Sequence, residues 1–126
     1  MQELVLAGIE GRAARVPASE TVANEYVYAN DVGRAVDLAT TVPLPAATAF
    51  NIGAGVVMPF EELVSTLRSL LPALTVEVLP GEARKAKTFP LDLSRARNHL
   101  GWEPRFTLRS ALEDYIAEVR RNLQIK

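Results

Sequence analysis

Two hydrophobic periods alternate along this chain, and the alternation restricts it to a layered α/β or α+β fold. Leu108, Ala111, Leu112, Tyr115, Ile116, Val119 and Leu123 recur at three-four spacing behind Thr107. That pattern predicts an amphipathic terminal helix capped by Thr107, with Arg120 and Arg121 where the helix dipole favours positive charge. Phe60, Leu63, Val64, Leu67, Leu70 and Leu71 predict a second helix, ended by Pro72. Val32, Ala35, Val36 and Ala39 predict a third, with Asp31 as its N-cap. Leu4, Val5, Gly8 and Ile9 predict a first helix that Gly11 terminates.

Between these lie Tyr26-Val27-Tyr28, Phe50-Asn51-Ile52 and Thr75-Val76-Glu77-Val78-Leu79, all β-rich and read as short strands. Ala14-Arg15-Val16 is a further candidate. Val76 and Val78 alternate with Thr75 and Glu77, so one face of that strand is expected to be wet. The expectation is one domain over residues 1–126: a small mixed sheet of short strands with four to five helices. Loops are expected at residues 42–45 and 80–90, where Pro and charged residues gather.

Composition narrows the chemistry. With 14 basic and 15 acidic side chains the net charge is −1, which offers no attraction to nucleic acid or to an anionic membrane. The absence of cysteine removes disulfides, thiolate nucleophiles and cysteine-ligated zinc, and fits the cytoplasm. The longest apolar stretches break at Gly8, Pro43 and Pro72, too short to span a bilayer. Residues 1–12 have no basic leader and are read as helix rather than signal peptide.

Several motifs invite a chemical reading. Phe50-Asn51-Ile52-Gly53-Ala54-Gly55 resembles a strand followed by a Gly-x-Gly turn, the opening of a dinucleotide-binding fingerprint. Met58 replaces the third glycine, Pro59 removes an N–H, and no acidic residue follows a second strand, so the segment reads as a plain turn. Arg84-Lys85-Ala86-Lys87 is a basic loop able to meet phosphate, although three charges in four residues are more often a solvated loop. Asn24 and Tyr26 could present polar groups to a ligand, but on pattern alone they read as structural. His99, the lone histidine, has no carboxylate at metal-ligand spacing and is read as structural. Trp102, after Leu100-Gly101, reads as an anchor buried with Leu100 and Leu112. No nucleophile-base or acid-base constellation emerges.

Two segments resemble the extended short-chain dehydrogenase/reductases. Tyr26-Val27-Tyr28-Ala29-Asn30-Asp31-Val32-Gly33-Arg34-Ala35 is similar to that family's aromatic-Val-x-x-x-Asp-x-Ala segment. Asp92-Leu93-Ser94-Arg95-Ala96-Arg97-Asn98-His99-Leu100-Gly101-Trp102-Glu103-Pro104 is similar to its Asp-x-Ser-Lys/Arg-Ala-x-x-x-Leu-Gly-Trp-x-Pro stretch. The Gly53-Ala54-Gly55 turn lies between them, as the family's order requires. The resemblance implies the C-terminal, substrate-binding part of an NAD-dependent nucleotide-sugar epimerase or dehydratase. Neither the Gly-x-x-Gly-x-x-Gly loop nor the catalytic Tyr-x-x-x-Lys pair occurs: Asn30, Val32 and Val119 stand four residues after Tyr26, Tyr28 and Tyr115.

The resemblance further implies that Ala14 and Val16 face the nucleotide base, that Asn24 and Tyr26 flank the diphosphate, that Val56 lines the same pocket, and that Arg84 contacts phosphate. Asn24 stands where UDP-sugar enzymes of the family usually carry Arg, so a charge-assisted contact is lost there. On this reading the chain holds no cofactor or metal and is inactive alone. NAD or NADP belongs to a full-length parent whose N-terminal cofactor domain is missing here. A nucleotide sugar is the expected substrate, and the exposed first helix is expected to make the isolated chain a homodimer. A free-standing ligand-binding or oligomerisation module is the alternative.

Overall fold

The computed structural model describes residues 1–45 and 49–124. The four expected helices all form: α1 (Gln2–Glu10), α2 (Ala29–Thr41), α3 (Phe60–Leu70) and α4 (Leu108–Gln124). Gly11 ends α1 with a left-handed φ of 69°, as its position predicts. Thr107 caps α4 reciprocally. Its Oγ1 accepts the Ser110 N–H at 3.2 Å, and Ser110 Oγ accepts the Thr107 N–H at 3.0 Å.

Of the four candidate strands, Thr75–Leu79 and the one around Ala14–Val16 form. The weakest candidate forms β1 (Ala13–Pro17), which pairs in parallel with β2 (Thr75–Leu79) in the register Ala13 to Thr75. Neither Tyr26–Val27–Tyr28 nor Phe50–Asn51–Ile52 is a strand. Their residue types suit extended, half-buried chain, but a strand also needs a neighbour to pair with. The first has a single antiparallel bridge beside it, where the Asn24 N–H donates to Met58 O at 3.0 Å and the Met58 N–H to Asn24 O at 2.7 Å. On β2, Val76 packs on the core, whereas Val78 stays half exposed.

Two apolar clusters hold the chain together. The larger gathers Leu4 and Val5 of α1, Ala14 and Val16 of β1, Leu63, Val64 and Leu67 of α3, and Leu112 and Ile116 of α4. The smaller gathers Ala35 of α2 with Leu93, Ala96, Leu100 and Trp102. Leu100, Trp102 and Leu112 are therefore all buried, but Leu112 belongs to the other cluster. The Leu-Gly-Trp segment, led in by a short π-turn (Ala96–Leu100), anchors on α2 rather than on α4.

Asp31 is the reason. The expected N-cap role is corrected: α2 starts at Ala29, and the Asp31 side chain points inward, only 1% of the residue being exposed. Its Oδ1 accepts the Arg105 N–H at 3.0 Å and its Oδ2 the Phe106 N–H at 3.1 Å. Arg34 Nη2 adds a bond at 3.2 Å, and Arg34 also donates to the Glu103 carbonyl. The Asp31 carbonyl accepts the Trp102 indole N–H at 2.9 Å, while the Arg34 guanidinium lies over the indole ring. With Asp31 turned inward, the buried face of α2 runs through Ala35, Leu38 and Ala39, and Val32 and Val36 face outward.

Two outcomes follow. Trp102 has no exposed surface and one indole hydrogen bond, so Trp102→Ala is expected to cost about 3–5 kcal/mol in chemical denaturation. An unchanged midpoint would remove the anchor. The Asp31 carboxyl lies below its ordinary 3.8: burial pushes it up, and the Arg105 and Phe106 N–H groups with Arg34 outweigh that push. A depressed folded value gives stabilisation that is complete above the unfolded value and lost as pH falls through the folded one. Asp31→Asn is expected to weaken the fold by about 1–3 kcal/mol at neutral pH and to flatten the loss of stability below about pH 4. Equal acid slopes for variant and parent would exclude Asp31 as the source.

Candidate functional site

β1 alternates, with Ala14 and Val16 turned into the core and Ala13, Arg15 and Pro17 turned out. The chain leaves β1 through a 3₁₀ turn (Ala18–Glu20) and passes Asn24 and Tyr26 on its way to α2. These residues, with Arg84, Lys85 and Lys87 from residues 80–90, line a groove of about 540 Å³. Four of the six residues proposed from sequence meet there: Val16, Asn24, Tyr26 and Arg84. Val56 lies on a neighbouring groove of about 800 Å³, which Tyr26 also lines. Ala14, fully buried, lines neither; only its backbone is at the strand.

The charges in the first groove are unevenly committed. Glu3 chelates Arg12 at 2.6 and 3.0 Å and accepts the Arg15 N–H, which hold its carboxyl down to about 2. Arg15 pairs loosely with Glu77 across the strands at 3.6 Å. Lys87 pairs with Glu25 at 2.8 Å. Among the described residues Arg84 and Lys85 have no carboxylate partner, so a guanidinium and an ammonium stand open against the single uncommitted carboxylate of Glu20. Such a groove favours an anion. Tyr26 stands between the two grooves with no hydrogen-bond partner for its hydroxyl among the described residues, and burial, then Glu20, push the phenol up.

The second groove has different walls. Val27, Tyr28, Val56, Met58, Pro104, Phe106, Leu108 and Ala111 make it largely apolar. Tyr28 is fixed there by donating its hydroxyl to Asp114 Oδ2 at 2.7 Å and by its ring contact with Phe106 at 4.8 Å. Burial, reinforced by Asp114, pushes the Tyr28 phenol up to about 12, so it stays protonated at neutral pH.

Sequence reasoning passed over Glu25, which connects the two grooves. Its side chain is 3% exposed. Oε1 accepts the Gly55 N–H at 2.8 Å, and Oε2 accepts the Leu91 N–H at 2.9 Å and the Lys87 ammonium. Burial pushes this carboxyl up, but Lys87, Leu91 and Gly55 together hold it below its ordinary value. No local spacing betrays the arrangement, because its backbone partners lie 30 and 66 residues away.

Glu25 also accounts for the Gly-x-Gly turn. Gly55 takes a φ of 73° to aim its N–H at the carboxylate. A Cβ on Gly53 would come within 2.4 Å of Glu25 Oε1. The turn is wrapped around the protein's own carboxylate, so it does not fit the pyrophosphate of a dinucleotide. Among the described residues no group of His, Cys, Asp or Glu could hold a metal ion, and no helix is long and apolar enough to cross a membrane. His99 is exposed, its ring 6.4 Å from Phe50.

No protein-family model matches the chain, and no curated protein does either. Solved structures do. UDP-glucose 4-epimerase from Thermotoga maritima, in complex with UDP-glucose, matches with a TM-score of 0.77 and 26% identity, over 95% of this chain and 38% of that one. MoeE5 in complex with UDP-glucuronic acid and NAD matches with a TM-score of 0.82 and 26% identity, over 94% and 40%. dTDP-glucose 4,6-dehydratase from Bacillus anthracis, in complex with NAD, shares the fold at 18% identity and a TM-score of 0.70, over 96% and 39%. The chain thus spans about two fifths of the length of the structures it matches.

The Gly53 contact gives a direct test of the site's construction. Gly53→Ala is expected to displace the Glu25 carboxylate and cost about 1–3 kcal/mol, the usual penalty for overpacking. A midpoint equal to the parent's would mean that the carboxylate moves aside freely.

Proposed function

We propose, from the likeness of this chain in motif and fold to the extended short-chain dehydrogenase/reductases, that it recognises a nucleotide sugar for an NAD(P)-dependent epimerase or dehydratase. The observation that carries this reading is the meeting of Val16, Asn24, Tyr26 and Arg84 in one groove with unpaired positive charge. The matched epimerase and MoeE5 are both complexes with UDP-sugars, which is the class of ligand such a groove suits.

In this reading the edge of β1 at Ala14 and Val16 meets the base through backbone groups, since both side chains are buried in the core. Asn24 and Tyr26 flank the diphosphate, and Arg84, with Lys85 beside it, neutralises it. The Tyr26 hydroxyl and Val56 then face the sugar, where the polar groove gives way to the apolar one. Asn24 offers a neutral amide in place of a guanidinium, so more of the phosphate's charge falls to Arg84.

A nicotinamide cofactor, bound to a domain outside this chain, would supply the hydride acceptor. The Gly53-Ala54-Gly55 turn does not fit that cofactor, because it is closed around Glu25. What the residues here contribute is binding and orientation. The apolar groove beside Tyr28 and Phe106 is the face that meets the cofactor domain in this reading.

Calorimetry with UDP tests the proposal on the chain itself. UDP is expected to bind and NAD not to bind. Arg84→Ala is expected to weaken UDP binding by roughly tenfold or more, the loss of one charge-assisted phosphate contact. Absence of UDP binding would overturn the reading, and equal affinity of variant and parent would remove Arg84 from the site.

A further inference from the structure

The segment over residues 80–90 contains neither helix nor strand, yet it carries Arg84 and Lys85 into the first groove. Among the described residues its ties to the body are made at its far end. The Lys87 N–H donates to the Ala23 carbonyl at 3.0 Å, the Lys87 ammonium reaches Glu25 at 2.8 Å, and the following Leu91 N–H reaches the same carboxylate at 2.9 Å. From its other oxygen Glu25 holds the Gly55 N–H, one residue before Val56. One buried carboxylate therefore fastens the basic strap to the Gly-x-Gly turn, and so joins the wall of one groove to the wall of the other.

The geometry points to Glu25 as a positioning residue, a latch that holds the strap so that Arg84 and Lys85 meet a bound diphosphate without Glu25 touching it. The inference rests on the reading of the groove as a diphosphate site. Its physical basis is the mismatch between the two ends of the strap. Arg84 and Lys85 are exposed, unpaired and on irregular chain, so nothing of their own fixes them. Fixing a charge before its ligand arrives removes an ordering cost from binding. A neutral amide at position 25 cannot accept from two backbone N–H groups and an ammonium with the same strength, since hydrogen bonds to an ionised acceptor are the stronger kind.

Limited trypsin digestion tests the latch, and a UDP titration tests what the latch is for. Arg84, Lys85 and Lys87 are cleavage sites on the strap, and Arg68 in α3 is the internal reference. Cleavage of transiently opened chain follows the population of the open form. Glu25→Gln is expected to speed cleavage after Arg84 and Lys85 by about tenfold, with less than about a twofold change after Arg68. The same variant is expected to weaken UDP binding by roughly tenfold, but by clearly less in an Arg84→Ala background, where only the Lys85 contact is left to lose.

Strap cleavage unchanged, or raised in the same proportion as cleavage after Arg68, would overturn the latch. So would additive losses of UDP affinity in the double variant. Should Glu25→Gln fail to fold, Lys87→Gln cuts the same ion pair from its less buried end, and Lys87→Arg is the control expected to keep the strap down. A parent chain that does not bind UDP would overturn the proposed function, whereas the digestion would still decide whether Glu25 holds the strap.

Discussion

A carboxylate removed from water must be given donors, and in this protein two of them dictate how the irregular half of the chain is folded. Burying a carboxylate unpaired costs far more than a typical hydrogen bond returns, so each demands several donors at once. Asp31 draws in the backbone of residues 105–106, and with Arg34 and Trp102 it locks the Leu-Gly-Trp-x-Pro stretch to α2. Glu25 draws in Gly55, Leu91 and Lys87. Residues 80–107 contain no strand and only a short helical passage around residues 94–100, yet these two acceptors give their loops defined positions. Helices and sheet supply the stable body; the acids place the loops that form the grooves.

What was legible in the sequence follows from the range of the forces involved. The helices were legible because their stripes are local, repeating every three or four residues with caps at Gly11 and Thr107. The order of the family-like motifs was legible because it is written along the chain. Strand membership was legible only in part: Thr75–Leu79 forms as expected, but Ala13–Pro17 becomes a strand only through it, far along the chain, while the more β-rich Tyr26–Val27–Tyr28 finds no such neighbour. The phase of α2 was misread for a related reason. Of the expected stripe Val32, Ala35, Val36 and Ala39, Ala35 and Ala39 do face the core, but a buried charge beside them turns Val32 and Val36 outward.

The same distinction applies to the site. Val16, Asn24, Tyr26 and Arg84 could be selected only through the family resemblance of the motifs around them, and all four line one groove. Glu25 could not be selected, because its meaning lies in partners from two distant segments, the turn at Gly55 and the strap at residues 87–91. The Gly-x-Gly turn shows how a local motif can mislead. Its glycines do serve close approach and a left-handed backbone, the properties a phosphate loop needs, but the anion they receive is the protein's own side chain. The juxtaposition of a charged groove and an apolar one, with Tyr26 shared between them, suits a ligand that is ionic at one end and neutral at the other.

The parallel pairing of β1 with β2 has a consequence for how the chain reaches this state. Joining Ala13 to Thr75 closes a loop that contains α2 and α3. Loop closure carries an entropic cost before any contact within the pair repays it, and contacts between residues far apart in sequence slow folding. Two five-residue strands return little by themselves. The sheet therefore depends on helices that shorten that loop and on α1 and α3 offering apolar surface for Ala14 and Val16 to meet. The strand edge proposed for ligand recognition thus stands only where α1, α3 and the distant β2 come together, so a ligand bound at that edge would report long-range order in the chain.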